Sequence, residues 1–307
     1  MTTAGPALER AFDSNAHSPP SLMATRLTIL DASMRPLLDS QGFRRYEDFV
    51  DATRGEVVGR SSTSQTRRIE LGGASGGESG VSGTPRREVL FLKVYRYAGK
   101  TRRLGLWPDK GTVETRNYRI LRQCCGIDVP DVIAHGSRRS RGYLLDAFIL
   151  TRAIPHARPL EEFLQPRQDQ GRVGSNHPED AAAVERDSLR SYLLCQTAEM
   201  VARMHSAGFY HIDLQWRNIL VSDDHSRRPR IFVIDSARGS RRHWKVFRAH
   251  GRLRDLSSLY KKARMRLTAR EQIGWLRRYL GVRRLGREHH AMIRTILDDR
   301  RIKDRQD

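Results

Sequence analysis

A chain of 307 residues, 38% hydrophobic and 30% charged, is long enough for one bilobal domain or two ordinary ones and has the composition of a soluble globular protein. Its 56 Lys and Arg against 35 Asp and Glu leave a net charge of +21, a field that attracts nucleotides, nucleic acid or an acidic membrane surface; because the basic residues are scattered, an arginine-rich surface with no partner is an equal alternative. Three cysteines, two of them adjacent, exclude a disulfide framework and a zinc pattern, the N-terminus has no secretory signal, and no apolar run reaches the roughly 20 residues that cross a bilayer, so the expectation is a cytoplasmic protein with peripheral membrane contact at most.

Residues 1–24, rich in Ser, Pro, Ala and Thr, are expected to be frayed. From Gly42 to Leu71 the pattern suggests short strands, with Gly55 to Leu71 forming a hairpin. Residues 72–84 are a low-complexity Gly/Ser stretch, expected to be a flexible insertion between strands; it lacks the G-x-x-x-x-G-K-[ST] pattern of a phosphate-binding P-loop. Val89-Leu-Phe-Leu-Lys-Val-Tyr95 predicts a strand. Helical spacing then places Val113, Asn117, Ile120, Leu121 and Cys124 on one face, with Gly126 as the stop. Two more strands are predicted over Val129 to Gly136 and Tyr143 to Leu150.

The character changes after Leu150. Thr151 to Pro155 reads as a crossing segment, followed by a short helix around Leu160 to Leu164 and a polar loop over 166–180. A long amphipathic helix over Ser188 to Ser206 turns Leu194, Ala198, Val201 and Met204 inward and stops at Gly208. Thr268-Ala-Arg-Glu271 is a capping box that opens a helix carrying Ile273, Leu276 and Leu280. A β-rich part over 25–150 joined to a helical part over 151–307 is an α+β arrangement.

The junction between those parts carries the chemistry. His205 to Val221 contains His211-Ile-Asp213-Leu-Gln-Trp-Arg-Asn218, the H-x-D-L-x-x-x-N pattern of kinase catalytic loops. After a turn-rich stretch, the strand Ile231 to Ile234 delivers Asp235, and a hairpin would bring Asp235 beside Asn218. Phosphoryl transfer needs these residue types because its loose transition state is stabilised by positioning and electrostatics. Asp213 would orient or accept the proton of an attacking hydroxyl. Asn218 and Asp235 offer hard oxygen ligands to Mg2+ bridging the phosphates of ATP. Lys93, from the first part, would contact the α- and β-phosphates, with Glu114 as its acidic partner and nearby Asp109 as the alternative. Gly59-Arg-Ser-Ser-Thr-Ser64 is the candidate for covering the phosphates. Singly, each has an ordinary structural reading: a capped turn for Asp235, a buried hydrogen-bonded histidine for His211. Their order and spacing together predict a bilobal protein-kinase-like fold, with a small β-rich N-lobe and a helical C-lobe.

From about Gly55 to Gly281 the sequence resembles the lipopolysaccharide core kinases, the family of Kdo kinases and core heptose kinases. The resemblance is carried by Val89 to Lys93, the helix with Glu114, Ile127-Asp-Val-Pro130, Phe148-Ile-Leu-Thr151, Met204 to Leu220, Val233-Ile-Asp235, Arg254-Asp255-Leu256 and Trp275 to Gly281. It implies ATP as donor, a sugar hydroxyl of the lipopolysaccharide inner core or a related glycolipid as acceptor, and a cytoplasmic enzyme at the inner membrane surface. Ile212 in place of Arg, Asp235-Ser-Ala in place of D-F-G, and the short interval from Asp235 to Asp255 all favour a small acceptor over a peptide. Asp255 would bond backbone near the catalytic loop, or else merely cap an exposed helix. Other readings are a small-molecule kinase of the aminoglycoside or choline type, and a nucleotide-binding pseudokinase. No aromatic-interleaved motif accompanies the charge, so no specific nucleic-acid partner is expected.

Overall fold

The structure, a computed structural model, describes residues 23–72, 87–98, 103–104, 107–165, 178–223 and 228–304. Alternation along strand β4 (Glu88–Arg96) organises its first half. Leu90, Leu92 and Val94 turn to one side, into a core with Phe49, Ile133 and Phe148. Tyr95, on the opposite side, is buried in a second core with Tyr118, Leu121 and the C-terminal helices. A period of two thus lets one strand serve both layers.

β4 lies between β3 (Ser64–Leu71) and β7 (Tyr143–Arg152) in an antiparallel sheet. Beyond β3 is β2 (Glu56–Arg60); beyond β7 come β6 (Val132–Ser140) and β1 (Met23–Ile29), and the short β5 (Arg103–Leu104) also pairs with β7. The expected 55–71 hairpin is β2–β3. Leu71 pairs directly with Glu88, so the Gly/Ser stretch joins the ends of adjacent strands. Beyond Gly72 that stretch lies outside the described residues, as do residues 1–22. Met23 and Ala24, at the end of the segment expected to fray, pair with Ser140 and Arg139 in β1.

Two short helices precede the hairpin, and the second replaces part of what reads as strand from Gly42. α1 (Arg35–Ser40) starts with Pro36 in its first turn, and α2 (Tyr46–Val50) is started by Asp48, whose carboxylate accepts the N–H groups of Arg44 and Arg45. They and the loop between them bury Leu38, Phe43 and Phe49 against the sheet, and Phe49 stacks on Phe148 at 4.5 Å.

On the other face, α3 (Lys110–Cys125) begins at the Asp109 cap and ends at Gly126, in left-handed conformation with φ 61°. Its buried residues are Gly111, Glu114, Thr115, Asn117, Tyr118, Leu121 and Cys125, so Asn117 and Leu121 of the predicted face are inward while Cys124 is exposed. Gly111 is required there: a Cβ would stand 2.4 Å from the Phe148 carbonyl oxygen.

The second half is helical. After β8 (Ala157–Pro159) and α4 (Leu160–Phe163), α5 runs from Pro178 to Ser206, longer than predicted because it extends back into the polar stretch. Leu194, Ala198, Val201 and Met204 are buried as expected. Then come β9 (Phe209–Tyr210), the hairpin β10 (Ile219–Ser222) with β11 (Arg230–Val233), β12 (Ser240–Arg241), α6 (Lys245–Arg266), α7 (Ala269–Leu280) with its capping box, and α8 (Arg287–Asp304).

Candidate active site

The loop between β9 and β10 is shaped by a residue 42 positions beyond its aspartate. Asp255, on α6 and fully buried, accepts the backbone N–H of His211 at 2.9 Å and of Ile212 at 2.7 Å. These bonds hold Ile212 at φ 69°, a left-handed conformation that is an outlier for a β-branched residue and costs about 1–3 kcal/mol. Asp255 also meets His205 Nε2 at 3.2 Å, and His205 Nδ1 is 2.9 Å from the Tyr279 hydroxyl. Trp216 anchors the far end of the loop by donating to the Leu259 carbonyl at 3.0 Å. Of its two alternatives, Asp255 therefore takes the first: it bonds the backbone of this loop.

Inside the loop, Asn218 Nδ2 donates to the backbone oxygen of Asp213 at 2.9 Å, which leaves the amide oxygen for another partner. Gln215 Nε2 donates to Asp213 Oδ1 at 2.6 Å. The β10–β11 hairpin pairs Ile219 with Val233, and the Ile234 N–H reaches the Asn218 carbonyl at 3.0 Å. The chain then turns at Asp235, itself at φ 57°. The hairpin so brings Asn218 and Asp235 together, as its spacing predicts.

Lys93 arrives from the sheet. It lies between Thr66 of β3 and Ile149 of β7, and its Nζ donates to Asp235 Oδ1 at 2.5 Å. Burial would lower the Lys93 pKa, but the charges of Glu114, Asp235 and Asp213 more than offset this and leave it raised. Burial would likewise raise Asp235, yet the neighbouring Lys93 ammonium holds its carboxyl below the ordinary 3.8. The Asp235 side chain keeps 41% exposure, so its carboxylate is partly open to solvent.

Glu114 is not the ion-pair partner of Lys93 that the sequence suggests. Its two oxygens accept the hydroxyls of Tyr95 at 2.5 Å and Tyr118 at 2.7 Å. Burial and the Glu114 charge push both phenols well above their ordinary value, so they remain donors. The Tyr118 hydroxyl also accepts the Asp235 N–H, at 3.0 Å. One position earlier on the helix, Asn117 donates to the carbonyls of Ser236 at 2.6 Å and Gly239 at 2.7 Å. α3 therefore grips the segment from Asp235 onward at three backbone atoms.

Sequence reasoning missed Tyr95, Asn117, Tyr118 and Lys110. Two signals were available: Tyr95 is two residues after Lys93 on the same strand face, and Tyr118 is four after Glu114 on the same helix face. Lys110 Nζ stands 5.3 Å from the Tyr95 ring centre, as does Lys93 Nζ, and donates to Thr63 Oγ1 at 3.4 Å. Thr63 is in the turn expected to cover the phosphates. Within that turn the N–H groups of Thr63 and Ser64 are taken by Ser61 Oγ. Asp109, the alternative partner for Lys93, instead caps α3 through Thr112.

The donor set fits a magnesium ion. An amide oxygen freed by its own nitrogen's bond and a half-exposed carboxylate are the hard ligands that Mg2+ takes when substrate phosphates and waters complete its shell. An apolar cavity of about 260 Å³ between α5, α6, α7 and α8 is separate from this cluster; its walls include Leu194, Trp216, Leu259 and Leu276 but none of Lys93, Asp213, Asn218 and Asp235.

A β-sheet layer presenting a lysine to an Asp–Asn–Asp cluster held by a helical layer defines the class: a protein-kinase-like phosphotransferase fold. WaaP, in its solved complex with acyl carrier protein, shares this fold with a TM-score of 0.58 and 22% sequence identity, over 92% of this chain and 98% of WaaP's. The model of the lipopolysaccharide kinase (Kdo/WaaP) family matches residues 110–279, more than half the chain, and the protein belongs to that family of kinases. That span contains Glu114, Asp213, Asn218, Asp235 and Asp255, while Lys93 lies outside it and is joined to the cluster by the fold. No curated protein matches the sequence.

Proposed function

We propose that the protein transfers the γ-phosphoryl group of ATP, with Mg2+, to a sugar hydroxyl of the lipopolysaccharide inner core (Kdo or heptose) or of a related glycolipid, at the cytoplasmic face of a membrane. The observation that carries this reading is the 2.5 Å ion pair between Lys93 and Asp235, which joins sheet and helical layers beside Asp213 and Asn218. When bound, magnesium would neutralise phosphate charge. Asn218 Oδ1 and the Asp235 carboxylate would hold it. Lys93, beside the other oxygen of Asp235, would direct its ammonium to the phosphates.

Asp213 would take the proton of the attacking sugar hydroxyl. Gln215 occupies one of its oxygens and so orients the other. Efficient proton acceptance requires the carboxylate within about 2.6–3.2 Å of that hydroxyl, a contribution worth about 10²–10⁴ in rate. Family membership favours a sugar acceptor over the aminoglycoside- or choline-type alternatives. The test is transfer of labelled γ-phosphate from ATP to Kdo- and heptose-bearing acceptors, comparing wild type with Asp213→Asn. Transfer by wild type alone supports the reading; conversion of another metabolite, with none to either sugar, refutes it.

A further inference from the structure

The stretch that follows Asp235 has a composition of its own. Residues 236–254 carry seven Lys and Arg and no Asp or Glu. Within it the five consecutive residues His243, Trp244, Lys245, Val246 and Phe247 are all exposed. Trp244 and Val246 are each 77% exposed and Phe247 58%. Single exposed apolar side chains are ordinary on soluble proteins, but three large ones within four positions form a patch.

The patch is held in place. The Arg242 N–H donates to the Gly208 carbonyl at 2.8 Å, and its guanidinium to the Phe247 carbonyl at 3.0 Å. Arg248 Nε reaches the Tyr210 hydroxyl at 3.4 Å, and Gly251 packs so closely on the Tyr210 ring that a Cβ would lie 2.4 Å away. The tip is thus braced on Phe209–Tyr210, the strand that leads into the catalytic loop. Trp244 also lies nine residues after Asp235, hence within about 32 Å of it even along a fully extended chain.

We infer that the His243–Phe247 tip is a docking surface for an anionic lipid bilayer. Indole and phenyl groups partition into the bilayer interface, while Arg and Lys beside them engage headgroup phosphates. The chemistry matches: apolar side chains at the tip, Arg241, Lys245 and other cations around it, and no carboxylate in the stretch to repel an acidic surface. An exposed segment of five residues is too small for a stable protein interface, which buries about 800 Å² per partner, whereas a bilayer deforms around it. The inference deepens the proposed function and rests on it only for the reason to be there: a lipid-anchored acceptor would be presented to the cleft.

The experiment is co-sedimentation of the full chain with vesicles of phosphatidylcholine alone or with phosphatidylglycerol added. Wild type, Trp244→Ser/Phe247→Ser and Lys245→Glu are compared, with phosphoryl transfer to a soluble sugar acceptor measured on the same samples. Expected are binding to the anionic vesicles by wild type, at least tenfold weaker binding by the double variant, weaker binding by Lys245→Glu, and unchanged soluble-acceptor transfer in both. Wild-type binding that the double variant retains in full would overturn the inference. So would loss in the variant of binding to an acidic carrier protein with vesicle binding intact, which would assign the tip to a protein. A wild type that transfers phosphate but ignores vesicles sinks the docking surface and leaves the kinase reading standing; vesicle binding through the tip by a protein that transfers nothing does the reverse.

Discussion

The Lys93 ammonium donates to the Asp235 carboxylate at 2.5 Å across 142 positions of sequence. One residue comes from the middle of a sheet and the other from a left-handed turn after a hairpin, so the bond exists only if both layers dock in register. Replacing Lys93 with Met should abolish measurable transfer while the protein still melts cooperatively, as followed by labelled-phosphate transfer and calorimetry.

The same pair makes a pH prediction. Asp235 is held below 3.8 in the folded chain, so its contribution to stability is present above 3.8 and is lost as pH falls through the lower folded value. Lys93 is held above 10.5, so its contribution is present below 10.5 and lost as pH rises through the higher folded value. In Lys93→Met the burial of Asp235 loses its largest offset, with only His211 and Lys110 remaining, and its pKa should move up. Carboxyl NMR titration of wild type and variant reads this directly, with opposite directions expected.

Asp213→Asn should lower the transfer rate by about 10²- to 10⁴-fold with little change in nucleotide affinity, since the amide keeps its shape but accepts no proton. Single-turnover transfer and equilibrium nucleotide binding separate the two effects.

Asn218→Ala should raise the Mg2+ concentration for half-maximal transfer by about tenfold, the worth of a ~1.5 kcal/mol charged contact. It also frees the Asp213 backbone oxygen from its 2.9 Å bond, so the maximal rate should fall as well. A magnesium titration at saturating ATP checks both.

Tyr118→Phe leaves Glu114 with one donor and the Asp235 N–H without its acceptor. Leaving such groups unmade costs about 1–3 kcal/mol. The melting temperature should fall, and the magnesium requirement should rise because the turn that aims Asp235 loosens. Asp255→Ala should cost more, about 3 kcal/mol or above, because it strips two backbone N–H groups and His205 of one buried carboxylate. Denaturant titration ranks the two.

Much was legible in the sequence because it was local. The strand around Lys93, the loop from His211 to Asn218, the hairpin to Asp235 and the capping box at Thr268 follow from period, turn chemistry and a motif whose parts are close along the chain. Tertiary packing decided what is distant. Helical spacing puts Glu114 and Tyr118 together, but nothing in it says that both phenols would take Glu114 and leave Lys93 to Asp235. Nor does α2 betray itself: five residues are too few for a period to show, and Phe49 becomes helical where it can stack on Phe148. The sequence by itself determined which residue types are present for phosphoryl chemistry and in what order. Which carboxylate meets the lysine was settled only by docking the two layers, since a buried charge pairs with whatever the fold brings within a few ångströms of it.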